Sequence, residues 1–395
     1  CRRECHARFA TIFFGAGCVR VAWHNIRGGT GQGAPEPSML SQRTVAGGCA
    51  ATVQMICLPR RMKRGSQMKF NRRVSGADGL GDRLGGGRSR TLGTVIGAVL
   101  IVYLFICLLV GWYWSREPGL NELNVLPVGA SNSLTTGSHT ARTVRALSMT
   151  LLEKPGGFIS NDITPPGIWL DNMPSWEFGV LVQVRDMARA MRRDMARSQS
   201  QSTEDAALAK AEPLLHFDHN SWALPASESE YRSAVRLLDD YIGRLESGNA
   251  SFYARADNLA AWIGDASTRL GSLSQRLSSS VARAPLTDGG RERKKTPWLQ
   301  IDNVFYEARG SAWALAHLLR AVEKDYAEVL DKKNALVSLR QIIRELEATQ
   351  ETVWSPMILN GGGFGVLANH SLVMANYLSR ANAGLIDLRR LLEQG

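Results

Sequence analysis

Twenty-three consecutive residues from Leu92 to Trp114, LGTVIGAVLIVYLFICLLVGWYW, carry no formal charge. As a helix this run measures about 34 Å, at roughly 1.5 Å per residue, and a hydrocarbon core is roughly 30 Å thick. Thirteen of its residues are Leu, Ile, Val or Phe. Each is worth roughly −0.3 to −0.6 kcal/mol near a bilayer centre, so insertion is strongly favoured. The run ends in Gly111-Trp112-Tyr113-Trp114, not in the small residues that close a cleavable signal. Amphipathic rings of this kind settle at headgroup level. The expected anchor therefore extends from Leu92 to the belt of Trp112, Tyr113 and Trp114, and the first expected partner is a lipid bilayer crossed once. Gly93 and Gly97 form a GxxxG pair at the edge of the span, too weak a motif alone to imply a helix dimer.

Charge is distributed around this span unevenly. The formal net charge is +11, yet residues 1–114 hold 16 Lys and Arg against 4 Asp and Glu, while residues 115–395 hold 31 against 32. The large C-terminal part is thus neutral and lacks the basic face that neutralises several phosphates, so nucleic acid is not expected as a partner. Arg72, Arg73, Arg83, Arg88 and Arg90 precede the span closely, and Arg116 alone follows it within twenty residues. By the positive-inside rule the N-terminus is expected in the cytoplasm and the large domain in the periplasm of an inner membrane.

Cys1, Cys5, Cys18, Cys49 and Cys57 lie early in the chain and Cys107 lies in the apolar run. The part beyond residue 114 has no cysteine, which excludes a disulfide-stapled fold and thiolate metal ligands there. Residues 1–67 show no periodicity, and Met68 opens a plausible basic tail, so 1–67 are expected to be an over-extended reading frame. The expected organisation is a basic tail over 68–91, the span over 92–114, a stalk over 115–150 and a helical domain over 151–395.

Within that domain, Pro165-Pro166, Pro174 and paired glycines forbid a long helix over 156–179. Val180 to Ser198 has helical spacing, and Ser202 or Thr203 offers a cap for the next helix. Between 231 and 281 apolar residues recur in steps of four and three, including Leu238, Ile242, Leu245, Leu259, Ile263 and Leu270. This heptad seam predicts a long bent helix or a coiled-coil hairpin, broken near Ser247-Gly248-Asn249, and an interaction surface along it. A basic loop spans 285–297, and helical patterns return over 304–329, 334–353 and 368–392. The fold class expected is mainly α: one transmembrane helix, then an elongated helical-bundle or coiled-coil-like soluble domain.

Candidate chemistry is sparse. His216, Asp218 and His219 are the one crowd of ligand types, and a metal site there needs His317 or His370 to complete it; Asp218 and Asn220 making local turn bonds is the simpler reading. Asp162, Asp171 and Glu177 lie among aromatic residues, as the two carboxylates of a glycosidase do, although acidic residues in turns more often cap. Asn360-Gly361-Gly362-Gly363-Phe364-Gly365 offers free amides before a helix but lacks the rest of a P-loop, and Ser355 and Ser371 lack a nucleophile-elbow setting. No cofactor is expected.

The stretches GGFISNDITPPGIWLDNMPSWEFGVLVQVRDMARAMRRDMARSQS, FYARADNLAAWI and NGGGFGVLANHSLVMANYLSRANAGLIDLRRLL resemble a proteobacterial family catalogued only as a domain of unknown function, number 2333. The likeness runs from about Gly79 to the C-terminus. It implies an inner-membrane location and a helical domain after one span, and it supplies no activity or catalytic residue. The function expected is therefore a membrane-anchored, non-enzymatic envelope protein that binds a protein partner or itself, with a glycan-binding or glycan-cleaving periplasmic enzyme as the alternative.

Overall fold

The computed structural model describes residues 86–123, 125, 135–197, 203–281, 295–355, 357–362 and 367–394. They belong to one compact unit, Gly79–Gly395. The expected reading-frame extension at 1–67 lies outside the described residues, as does the tail before Gly86. Among the described residues every long regular element is a helix: α1 Gly86–Trp114, α2 Ser138–Glu153, α3 Asn172–Ala190, α4 Ala206–Leu215, α5 Ser227–Glu246, α6 Ala256–Ser278, α7 Ile301–Asp325, α8 Ala327–Lys332, α9 Leu336–Ala348 and α10 His370–Glu393. The chain is mainly α, as expected.

α1 is apolar on every side, and across its central window only 6% is buried by the rest of the chain. A helix with no polar face needs an apolar surrounding. By length and composition it can cross a membrane.

The other helices bury stripes against one another. α7 lies at the centre: Ala308, Ala312, Trp313, Leu315 and Leu319, which face several directions, are all buried. It packs against α2, α3, α6, α9 and α10. Its crossing with α3 is close because two glycines meet there. A Cβ on Gly179 would run into the Glu307 carbonyl, and one on Gly310 into that of Trp176.

Side-chain ties fix the directions. Thr140 at the start of α2 donates to Asp325 at the end of α7, and Arg142 on α2 pairs with Glu246 at the end of α5. α2 is therefore antiparallel to α5 and α7. Ser274 and Ser267 on α6 bond Ala375 and Asn382 on α10, so those two are antiparallel as well. Arg309 on α7 reaches the carbonyls that end α9. One end of the bundle thus gathers the starts of α3, α5, α7 and α10 with the ends of α2, α6 and α9.

Several boundaries differ from those expected. The stalk region 115–150 contains most of α2, whose Ala141, Val144, Leu147 and Leu151 are core residues. α3 starts at Asn172, eight residues before the periodic run, and ends in a π turn over Met191–Met195 where Ala196 N–H bonds the Met191 carbonyl. Ser202 lies outside the described residues, and α4 is capped not by Thr203 but by Asp205, which accepts from Ala207 and Leu208 N–H.

The heptad seam splits into α5 and α6, and the halves face different partners: α5 packs on α2 and α4, α6 on α3, α7 and α10. Leu238, Leu259, Ile263 and Leu270 are 0% exposed, and Ile242 and Leu245 are buried too. All six positions of the expected interaction seam lie in the chain's own core.

Candidate functional site

The predicted carboxylate group in 156–179 resolves into a structural clamp. The Glu177 carboxylate is fully buried on α3 and accepts from Ile159 N–H and Ser160 N–H at 2.8 Å each, from the Ser160 hydroxyl, and from Lys154 Nζ at 2.6 Å. Lys154 closes α2 and is itself buried. A carboxylate with this many donors is fixed in place, and its pairing with Lys154 pins the proline-rich loop between two helices. Asp162 packs under Gly167, where burial, with Glu177 and Glu228 nearby, raises its pKa. Asp171 sits at the N-terminus of α3. With Glu177 saturated, these three do not form an acid and base flanking an open space.

The histidine group is dispersed similarly. His216 Nε2 accepts from Arg189 at 2.7 Å while its Nδ1 faces the Glu212 carbonyl at 3.0 Å. His219 stacks on Phe178 with ring centroids 4.9 Å apart, and burial followed by the nearby Arg185 lowers its pKa. Asp218 accepts from Asn220 N–H at 3.0 Å, the local turn bond expected for it. Among the described residues no three His, Cys, Asp or Glu side chains gather as a metal site. His370 accepts from Leu359 N–H, and His317 is buried on α7 beside Trp313. Residues 363–366 of the glycine run lie outside the described residues. On either side of them Asn369 bonds the Asn360 side chain and the Gly361 carbonyl and caps α10 through Leu372 N–H. Ser371 is buried beside that cap.

What the fold does assemble is a junction between α1 and the bundle: the aromatic end of α1 was expected from the sequence, its partners in the bundle were not. Gly111 of α1 faces Pro166 and Leu170, and Trp114 packs its indole on Gly156, whose φ of +88° favours glycine. Trp112 and Tyr113 stay exposed, with the Arg116 guanidinium 4.4 Å over the Trp112 ring. Three residues beyond α1, Glu117 pairs with Arg309 at 2.6 Å. Arg309 is 8% exposed and also donates to the carbonyls of Thr349, Gln350 and Glu351. One guanidinium therefore ties the chain leaving α1 to α7 and caps the end of α9. Burial raises the pKa of Glu117, and Arg309 opposes the rise. Farther along α7, Trp313 Nε1 donates to the Gly119 carbonyl at 3.4 Å, its ring 5.2 Å from Trp176 and 4.7 Å from His317.

Beside this junction a cleft of ≈ 680 Å³ opens between α1 and α2, lined by Tyr113, Arg116, Glu117, Arg145, Lys154 and Trp313 among others. Its size is that of a small-molecule pocket, but its wall mixes charges of both signs with no nucleophile and base in register. The spacing of Arg309 and Glu117, 192 residues apart, gave no sequence signal. The paired glycines Gly156-Gly157 after α2 could have given one, since glycine lets a bulky ring approach the backbone.

Fold and junction define a class: a helical bundle met by a single long apolar helix whose last turn packs against one end of it. The chain belongs to the family described as uncharacterized protein conserved in bacteria, DUF2333, which matches residues 88–395. No curated protein and no solved structure matches it.

Proposed function

We propose that this chain is a non-enzymatic, membrane-anchored protein of the bacterial envelope, with α1 crossing the inner membrane, the N-terminus in the cytoplasm and the bundle in the periplasm. The observation that carries the reading is the junction. An exposed apolar helix of membrane-spanning length continues straight into a buried Glu117–Arg309 pair, so the bundle is held rigidly against the place where α1 would leave a bilayer. The arginines before the span support the orientation.

The bundle's role in this reading is to bind an envelope protein or a second copy of itself. The seam of α5 and α6 is consumed in the core, so the contact surface lies on the outward faces of the helices. Crosslinking of the full-length protein in living cells, followed by purification, tests this. A discrete envelope protein or a crosslinked homo-oligomer in stoichiometric yield is the expected product. Recovery of the monomer alone would contradict it.

A further inference from the structure

Outside α1, the exposed large apolar side chains are not scattered. Trp169 is 52% exposed, Trp222 62%, Leu224 99%, Trp298 70%, Leu299 74% and Trp354 92%. They come from four loops far apart in sequence, and the folding brings all four to one end of the bundle. The Trp169 loop touches α1, because Pro166 and Leu170 pack on Gly111. The loop of Trp222 and Leu224 is tied to it through Asn161, which donates to the Ser221 carbonyl and to Glu228 at 2.8 Å each. Trp298 and Leu299 form the single 3-10 turn that leads into α7. Trp354 follows the α9 end that Arg309 caps, beside Phe305 in a small apolar recess. Along α7, Trp313 meets Gly119 and Arg309 meets Glu117, so the direction toward lower numbers is the direction back toward α1. Phe305 and Trp298 continue that path. At the other end, where α2 and α9 begin and α7 and α10 finish, the exposed large hydrophobics among the described residues are Val337 and Ile386.

A tryptophan left in water forgoes the burial of a large apolar ring, and four on one face is a patch that needs a cover. The cover must be continuous with the surroundings of Trp112 and Tyr113, which flank the same end. Indole is the side chain most at home at a bilayer headgroup level. Basic charge stands beside it on described residues: Lys295 is exposed three residues from Trp298, and the Arg116 guanidinium lies over the Trp112 ring.

We propose that this end of the bundle is a membrane-docking face, with the four tryptophan-bearing loops seated in the headgroup layer of the leaflet from which α1 emerges, and with anionic phospholipid as its ligand. The inference rests on the anchor reading above and adds a second, interfacial attachment to it. The bundle then lies on the bilayer instead of standing off it on a stalk.

The test uses the full-length protein reconstituted in vesicles of phosphatidylethanolamine and phosphatidylglycerol that carry a phospholipid with a photoactivatable group near its headgroup. Labelled peptides are mapped by mass spectrometry. The expected result is label on the Trp169, Trp222, Trp298 and Trp354 loops as well as on the end of α1. In a Trp298→Glu, Trp354→Glu variant, whose altered positions are exposed and outside the core, the loop label is lost and the α1 label stays. Label confined to α1 would overturn the docking face while leaving the anchor intact. Absence of label from α1 as well would overturn both. Equal loop labelling in vesicles of phosphatidylcholine alone would overturn the anionic preference.

Discussion

Burial at His317 sets a pH dependence that the chain inherits as a whole. Its imidazole lies inside α7, Nε2 has no hydrogen-bond partner among the described residues, and burial with Arg320 nearby lowers its pKa from 6.5 to about 4. A histidine depressed on folding leaves the unfolded chain binding the extra proton between those two values, so stability is full above pH 6.5 and falls as pH drops toward 4. The contribution at stake is about 3 kcal/mol. Glu117 and Asp325, whose pKa values are raised chiefly by burial, act in the opposite sense and blunt the loss. Urea unfolding of the detergent-solubilised protein at pH 7.5 and 4.5, with and without His317→Gln, isolates the histidine. The variant is expected to lose less stability on acidification than the parent; an equal loss would contradict the assignment. Also at residue scale, Gly310→Ala puts a methyl against the Trp176 carbonyl and is expected to cost roughly 1–3 kcal/mol of stability, read from the same denaturation midpoint.

Among the elements, α5 and α6 show what a heptad pattern can and cannot say. The steps of four and three located both helices and named their buried faces, since Leu238, Ile242, Leu259 and Ile263 are in the core. The pattern did not say against what. A stripe of Leu and Ile fits a neighbouring helix of the same chain as readily as a partner, and the break at Ser247-Gly248-Asn249 lets each half turn to its own neighbours. Leu238→Ala is therefore expected to lower stability by roughly 2–5 kcal/mol without changing the oligomeric state of the fraction that stays folded. Analytical ultracentrifugation beside chemical denaturation separates the two effects. α2 was missed for a different reason: its sequence, SHTARTVRALSMTLLE, is rich in Thr and Ser, and packing on α3, α5 and α7 is what buries Thr140, Thr143 and Ser148. The long apolar helix was legible because its length and lack of charge are properties of one segment. The junction was not, because it joins residues close in space and remote in sequence, as Glu117 and Arg309 are.

For the whole molecule, that pair is one of the ties between α1 and the bundle, beside the packing of Gly111 and Trp114. Removing Arg309 leaves Glu117 without its cation and the α9 carbonyls without their donor. Arg309→Ala is expected to cost roughly 3–5 kcal/mol, as for other broken buried pairs. It is also expected to make the 115–123 segment susceptible to limited proteolysis; an unchanged cleavage pattern would show the pair is dispensable to the junction.

In the proposed topology α1 crosses the inner membrane and leaves the bundle on the periplasmic side. The natural cysteines all lie at or before Cys107, so with these six replaced by serine a single cysteine placed beyond them reports alone. Val337→Cys is suitable, being 75% exposed and at the end of the bundle remote from α1. Intact cells with a permeabilised outer membrane are treated with a maleimide that does not cross the inner membrane, and the protein is recovered from the membrane fraction. Labelling at residue 337 before the inner membrane is broken is the predicted result. Labelling only after lysis, or recovery of the protein in the soluble fraction, would contradict the account.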